Sequence, residues 1–200
     1  MALTLDVLPG NATIPTFGQL AAWSTERVNW MLAQRGIART TRVVARCTDD
    51  ENDPVDVPPE RPFTWSPVGY AWFVLDGAEG GVDVTVLSEL DELMSEYLPQ
   101  PGDEVTFPQQ VLQHAVSLDR AWTFRTSMGQ PPLVRFAQGV LAGTLAEITS
   151  GIVDSADGAA PLELLPAVPG DLYSWWMNPT VPWEDQPFWA GLVADLQAGL

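Results

Sequence analysis

The sequence predicts an α+β domain: a mostly antiparallel sheet, with a mixed sheet as the alternative, and helices packed on its face. Three observations carry that expectation. Short β-rich runs and amphipathic helical runs are mixed along the chain, without the regular alternation of a βαβ fold. Two of the β-rich runs, VGYAWFVL (68–75) and VDVTVL (82–87), are joined by DGAEGG, a strong hairpin signal. No repeat or interdomain linker divides the 200 residues, so 1–200 is expected to form a single domain. With 46% apolar residues the chain can build a substantial core.

Residues 3–8, LTLDVL, alternate like a short strand. Thr16 can cap a helix running to about Gln34, with Gly36 as its stop signal. Phe17, Leu20, Val28, Met31 and Leu32 recur at helical spacing, and Trp23 and Trp30 are read as widening that stripe. In the run 37–47, Val43, Ala45 and Cys47 alternate with Arg42, Val44 and Arg46, a strand pattern. An acidic loop (48–62) and the hairpin at 68–87 follow. Ser88 then opens SELDELMSEYL, a helix with Asp91 as its capping-box partner. Its buried stripe is Leu90, Leu93, Met94 and Leu98, and Glu89, Glu92 and Glu96 share the other face. EVTF (104–107) is read as a strand, and PQQVLQHAVSL as a helix with Pro108 in its first turn. AWTFRTS (121–127) reads as a strand. Residues 131–151 give the strongest helix, with Leu133, Ala137, Val140, Leu141, Thr144 and Ile148 on one face and Gly151 at its end. Gly139 and Gly143 inside it signal close packing. GIVDSADGA reads as a strand running into a turn. The aromatic-rich segment 172–200 ends in a helix started by Pro187, with Phe188, Trp189, Leu192, Val193 and Leu196 facing inward.

Composition excludes several functions. The chain has no lysine; its nine basic residues are all Arg. Walker A loops, pyridoxal Schiff bases and kinase-type phosphate lysines are therefore ruled out. No apolar stretch reaches the roughly 18 residues of a membrane span. The start, MALTLDVLPGNATIP, lacks the charged and apolar regions of a secretory signal, and Cys47 is the single cysteine, so a reduced cytoplasmic setting is expected. Net charge is −17. Residues 1–47 carry five Arg against two acids, 48–104 carry fifteen acids against Arg61, and 105–200 carry nine acids against three Arg. A phosphate backbone is repelled by such a surface, whereas a basic protein is attracted and steered.

The densest acidic stretch is CTDDENDPVDVPPERP (47–62). Counting from Asp49, Glu51, Asp53 and Glu60 fall at positions three, five and twelve, the spacing of an EF-hand loop. Pro54 stands where that loop needs a glycine, so a solvated acidic loop is the better reading. Glu147, Asp154 and Asp157 could hold a divalent metal, although Asp157-Gly158 is chiefly a turn former. His114 is the sole histidine, and no G-x-S-x-G elbow accompanies it; a structural role is expected for it and for Cys47. Trp175, Trp176, Trp183 and Trp189 either form an aromatic surface or pocket or lid the core, and the lid is favoured.

The functional expectation is therefore an acidic, non-catalytic interaction protein, of the immunity or inhibitor type familiar from bacteria, that binds a basic protein. Asp49, Asp50, Glu51, Asp53, Glu89, Glu92 and Glu96 are the expected contact residues, and no cofactor is expected. The alternatives are a metal-assisted hydrolase using Glu147, Asp154 and Asp157, and a small-ligand module lined by the C-terminal aromatics. Oligomeric state is left open by the sequence.

Overall fold

A computed structural model describes residues 2–48, 53–65, 69–90, 106–127, 129–155, 162–181 and 186–199. The strands are β1 (Ala2–Leu8), β2 (Val43–Thr48), β3 (Pro54–Asp56), β4 (Ala71–Leu75), β5 (Gly81–Leu87), β6 (Ala121–Ser127) and β7 (Ile152–Asp154). They form one sheet in the order β3-β2-β4-β5-β6-β1-β7, and every pairing is antiparallel. The α-helices are α1 (Phe17–Gln34), α2 (Phe107–Leu118), α3 (Pro132–Ile148), α4 (Pro169–Trp175) and α5 (Gln186–Ala198). The predicted α+β fold is thus present, with the sheet antiparallel throughout.

Strand alternation decides which face is buried. Leu3, Leu5 and Val7 of β1, Val43, Ala45 and Cys47 of β2, Phe73 of β4, Val82 and Val84 of β5, and Trp122 and Phe124 of β6 share one cluster with α1 and α3. Alternate residues such as Thr4, Val44, Trp72, Thr85 and Thr123 point to the other face and stay partly accessible. There the register aligns Asp56, Arg46, Trp72, Asp83, Arg125 and Thr4 in one row across six strands. Burial pushes the Asp83 carboxyl above its usual range, and Arg125 beside it partly offsets the shift. At one end of this face α2 closes a second, smaller core, in which Val111, Leu112 and Ala115 meet Leu8, Ala121 and Ile152.

α1 begins as expected: the Thr16 hydroxyl accepts from Gln19 N–H at 3.1 Å, and the Gln19 side chain accepts from Thr16 N–H at 2.9 Å. Its next donors are met by the far half of the acidic loop. Phe17 N–H donates to the Arg61 carbonyl at 2.9 Å and Gly18 N–H to that of Pro59 at 2.8 Å. Phe63 anchors this clasp in the core, 4.9 Å edge-on from Phe17 and 4.8 Å from Trp65. The loop expectation for 48–62 is corrected in one further respect. Pro54–Asp56 adds an edge strand to β2, with Pro54 at its first position, where a missing N–H costs no ladder bond.

α3 is the hub. Every residue from Leu133 to Ala146 is buried, because the sheet covers one side while α1, α4 and α5 cover the rest. A single apolar face was the expectation, and the sequence's Gly and Ala positions explain the difference. A Cβ at Gly139 would collide with the Trp176 indole, and one at Gly143 with Tyr173 and Leu172. Buried Gln138 pins the helix to the sheet: its Nε2 donates to the carbonyls of Leu3 (2.8 Å) and Phe124 (2.9 Å), and its Oε1 accepts from the Thr126 hydroxyl at 2.8 Å.

The EVTF strand is not formed by its described residues: Thr106 is the N-cap of α2 and Phe107 its first residue. The expected helix at 88–98 lies outside the described residues beyond Leu90. Among the described residues no helix is long and apolar enough to cross a membrane.

Candidate functional site

On the exposed side of α1, Trp23, Glu26, Arg27 and Trp30 follow one another at steps of three, one and three residues. That spacing sets them on neighbouring positions of two successive turns. Trp23 is 50% exposed and Trp30 48%, large apolar groups that the fold leaves in water. They were expected to widen the buried stripe. At 100° per residue they sit roughly 120–140° away from its centre, so helical phase alone carries the correction.

Two neighbouring cavities open around these residues. The larger, about 720 Å³, is lined among others by Arg27, Trp30, Arg35, Phe107, Glu147 and Tyr173. The smaller, about 400 Å³, is lined by Trp23, Glu26, Arg27, Trp30, Thr144 and Glu147. Phe107 adds a further exposed ring at 53%.

Arg27 and Glu147 join the two cavities. Arg27 Nη2 donates to both carboxylate oxygens of Glu147 at 2.7 Å, bridging α1 to the end of α3. The same guanidinium lies 5.5 Å from the Trp30 ring centroid and 5.0 Å from that of Tyr173. Tyr173 projects from α4 onto Gly143; its hydroxyl donates to Glu147 Oε2 at 3.4 Å and lies 3.5 Å from the Thr144 hydroxyl. Burial pushes the Tyr173 phenol well above the ordinary tyrosine range, with Glu147 adding to the shift and the Thr144 contact and Arg27 opposing it. Arg35, at the C-terminus of α1, donates through Nη2 to the carbonyls of Tyr173 (2.9 Å) and Trp176 (3.2 Å), tying the wall of the larger cavity together.

Of the candidate site residues singled out in the sequence, Glu147 alone among the described ones lines these cavities. Asp49, Asp50, Glu51, Glu92, Glu96, Asp157 and Trp183 lie outside the described residues, and of Trp189 only the backbone, in α5, is described. Asp53 and Glu89 are exposed. β2 and β5 run in the same direction with β4 between them, so the chain leaves Thr48 and Leu87 at one end of the sheet. The two acidic segments thus depart from neighbouring places, while Asp76 and Glu79 occupy the turn at the opposite end.

Trp175 and Trp176 are core residues, 4% and 1% exposed, and Trp176 Nε1 donates to the Phe136 carbonyl at 3.0 Å. Glu147 is paired with Arg27 on the helical side of the sheet. Asp154 alternates with Val153, whose side chain joins the α3 cluster, and so faces the other side. The fold does not bring these two carboxylates together, and among the described residues no group of three His, Cys, Asp or Glu could hold a metal. Cys47 is buried, and desolvation pushes its thiol up against a smaller lowering from Arg61. His114 lies partly buried on α2, next to Ala115 of the second core.

Comparison with family models, with curated proteins and with solved structures yields no match, so geometry and chemistry alone bear on function.

Proposed function

We propose that this chain is an acidic, non-catalytic interaction protein that binds a basic protein, as an immunity or inhibitor protein does. The observation that carries this reading is the half-exposed pair Trp23 and Trp30 lining a cavity beside Arg27, on a chain of net charge −17. Exposed Trp beside an Arg is the composition of interface hot spots, and long-range negative potential speeds encounter with a positive partner. With 26 acidic residues against nine arginines, carboxylates far outnumber the cations that could neutralise them within the chain. The same surplus argues against nucleic acid. The buried thiol suits a reducing, cytoplasmic compartment.

The test is capture with the tagged protein from its native lysate at low and high salt, followed by titration of the purified partner. The expected result is a basic protein whose binding weakens steeply with salt and on neutralising Asp49, Asp50, Glu51 and Asp53 to their amides. Salt-independent binding, or equal binding by the neutralised variant, overturns the reading.

The 720 Å³ cavity favours a second reading, a small-ligand module, since it falls in the size range of ligand pockets. A ligand screen read by tryptophan fluorescence separates the two.

A further inference from the structure

We infer that the smaller cavity is a receptor for the guanidinium of a partner's arginine, held between Trp23 and Trp30 and paired with Glu26 and Glu147. The inference rests on the reading of this chain as a binder of a basic protein, and it names the point of contact.

The protein already shows what this cleft accepts. Arg27 lies over the rings of Trp30 and Tyr173 and donates to Glu147, so a planar cation is stacked on aromatics and neutralised by a carboxylate within the same chain. That arrangement leaves capacity unused. Trp23 and Trp30 are each about half exposed, which leaves ring surface open to a visitor. Glu147 accepts from Arg27 at each oxygen and from the Tyr173 hydroxyl at Oε2, whereas a carboxylate accepts about four hydrogen bonds, so one position is left. Glu26 is exposed at the rim and forms no ion pair with a described residue. Two carboxylates against one guanidinium give the cavity a negative balance, and the protein's overall charge favours a cation in the same sense.

Arginine fits better than lysine for geometric reasons. Its flat fork can stack on an indole while its edge donates to a carboxylate, whereas a compact, strongly hydrated ammonium does one of these less well. Burying an indole face against a guanidinium also removes apolar surface from water, which accounts for two tryptophans being kept at exposed positions.

The probe is N-acetyl-argininamide, titrated into the protein labelled at its nine tryptophan indoles and followed by their NMR signals. The expected result is saturable movement of the Trp23 and Trp30 indole resonances alone, absent with the neutral citrulline analogue. Trp30→Ala and Glu26→Gln, both at exposed positions, should each weaken the probe by about threefold, the scale of one exposed cation–π or charged contact. Absence of saturable movement, undiminished binding in both variants, or equal binding of N-acetyl-lysinamide overturns the inference. Failure here while a basic protein is still captured by Trp23→Ala and Trp30→Ala condemns the contact point alone. Failure of salt-dependent capture condemns the broader reading.

Discussion

Gln138 offers the sharpest test of how this fold is held. It is fully buried, and it makes three hydrogen bonds that tie α3 to β1 and β6. Gln138→Leu keeps the volume near constant while removing all three. At a net value of about 0.5–1 kcal/mol for each bond, and with Thr126 left as an unpaired buried hydroxyl, the loss is about 2–3 kcal/mol. For a chain of this length that corresponds to a fall in Tm of about 4–12 °C. Thr126→Val removes one of the same bonds, so the two changes share a partner and should not add. The double variant is expected to be more stable than additivity predicts by about 1 kcal/mol. Urea titration followed by far-UV circular dichroism measures all four corners of the cycle. A single variant within about 0.5 kcal/mol of the parent, or a strictly additive double variant, refutes the claim that Gln138 is a satisfied polar pin.

Two further predictions follow from α3 and its partners. Gly139→Ala sets a methyl group into the Trp176 indole, and overpacking of this kind should cost about 1–3 kcal/mol; thermal melts check it, and an unchanged Tm contradicts the close approach. The buried phenol of Tyr173 titrates above its unfolded value, so at neutral pH both states hold the proton. As pH climbs past about 10 the unfolded chain ionises first and stability falls. Tyr173→Phe should flatten that alkaline decline, and ultraviolet titration should show one of the three tyrosines ionising later than the others.

What the sequence made legible was local chemistry that the fold left intact. Thr16 with Gln19 closes the start of α1, the hairpin sits between Leu75 and Gly81, and β6 spans the AWTFRTS run as read. Most of the misses have a common cause, since they depended on what lay across a layer. Phe107 is the exception: the capping box that makes it open a helix, with Gln109 accepting from the Thr106 N–H, is local. A three-residue edge strand at 54–56 draws its stability from β2, and Pro54 disguised it. The helix at 132–148 was predicted correctly but with too narrow a buried face, because the rings over Gly139 and Gly143 arrive from residues more than thirty and about thirty positions away. For the site, Trp23 and Trp30 lie half exposed, away from the buried stripe where the sequence sets them. Their helical phase was available, but the usual burial of large aromatics outweighed it.

That misassignment shows how this protein divides its tryptophans. Trp122 and Trp176 are sealed in the core, where truncation to alanine should cost about 3–5 kcal/mol. Trp23 and Trp30 have no such duty: the stripe of Phe17, Leu20, Val28, Met31 and Leu32 already seats α1 on the sheet without them. Removing both should therefore leave the fold almost unaltered, at under about 1 kcal/mol for each, in line with half-exposed positions. If stability and recognition are carried by different indoles, the Trp23→Ala/Trp30→Ala variant keeps its melting transition and loses partner affinity. If the double variant instead melts as far below the parent as Trp176→Ala does, the exposed rings are part of the core's support, and the cleft has no surplus surface to offer.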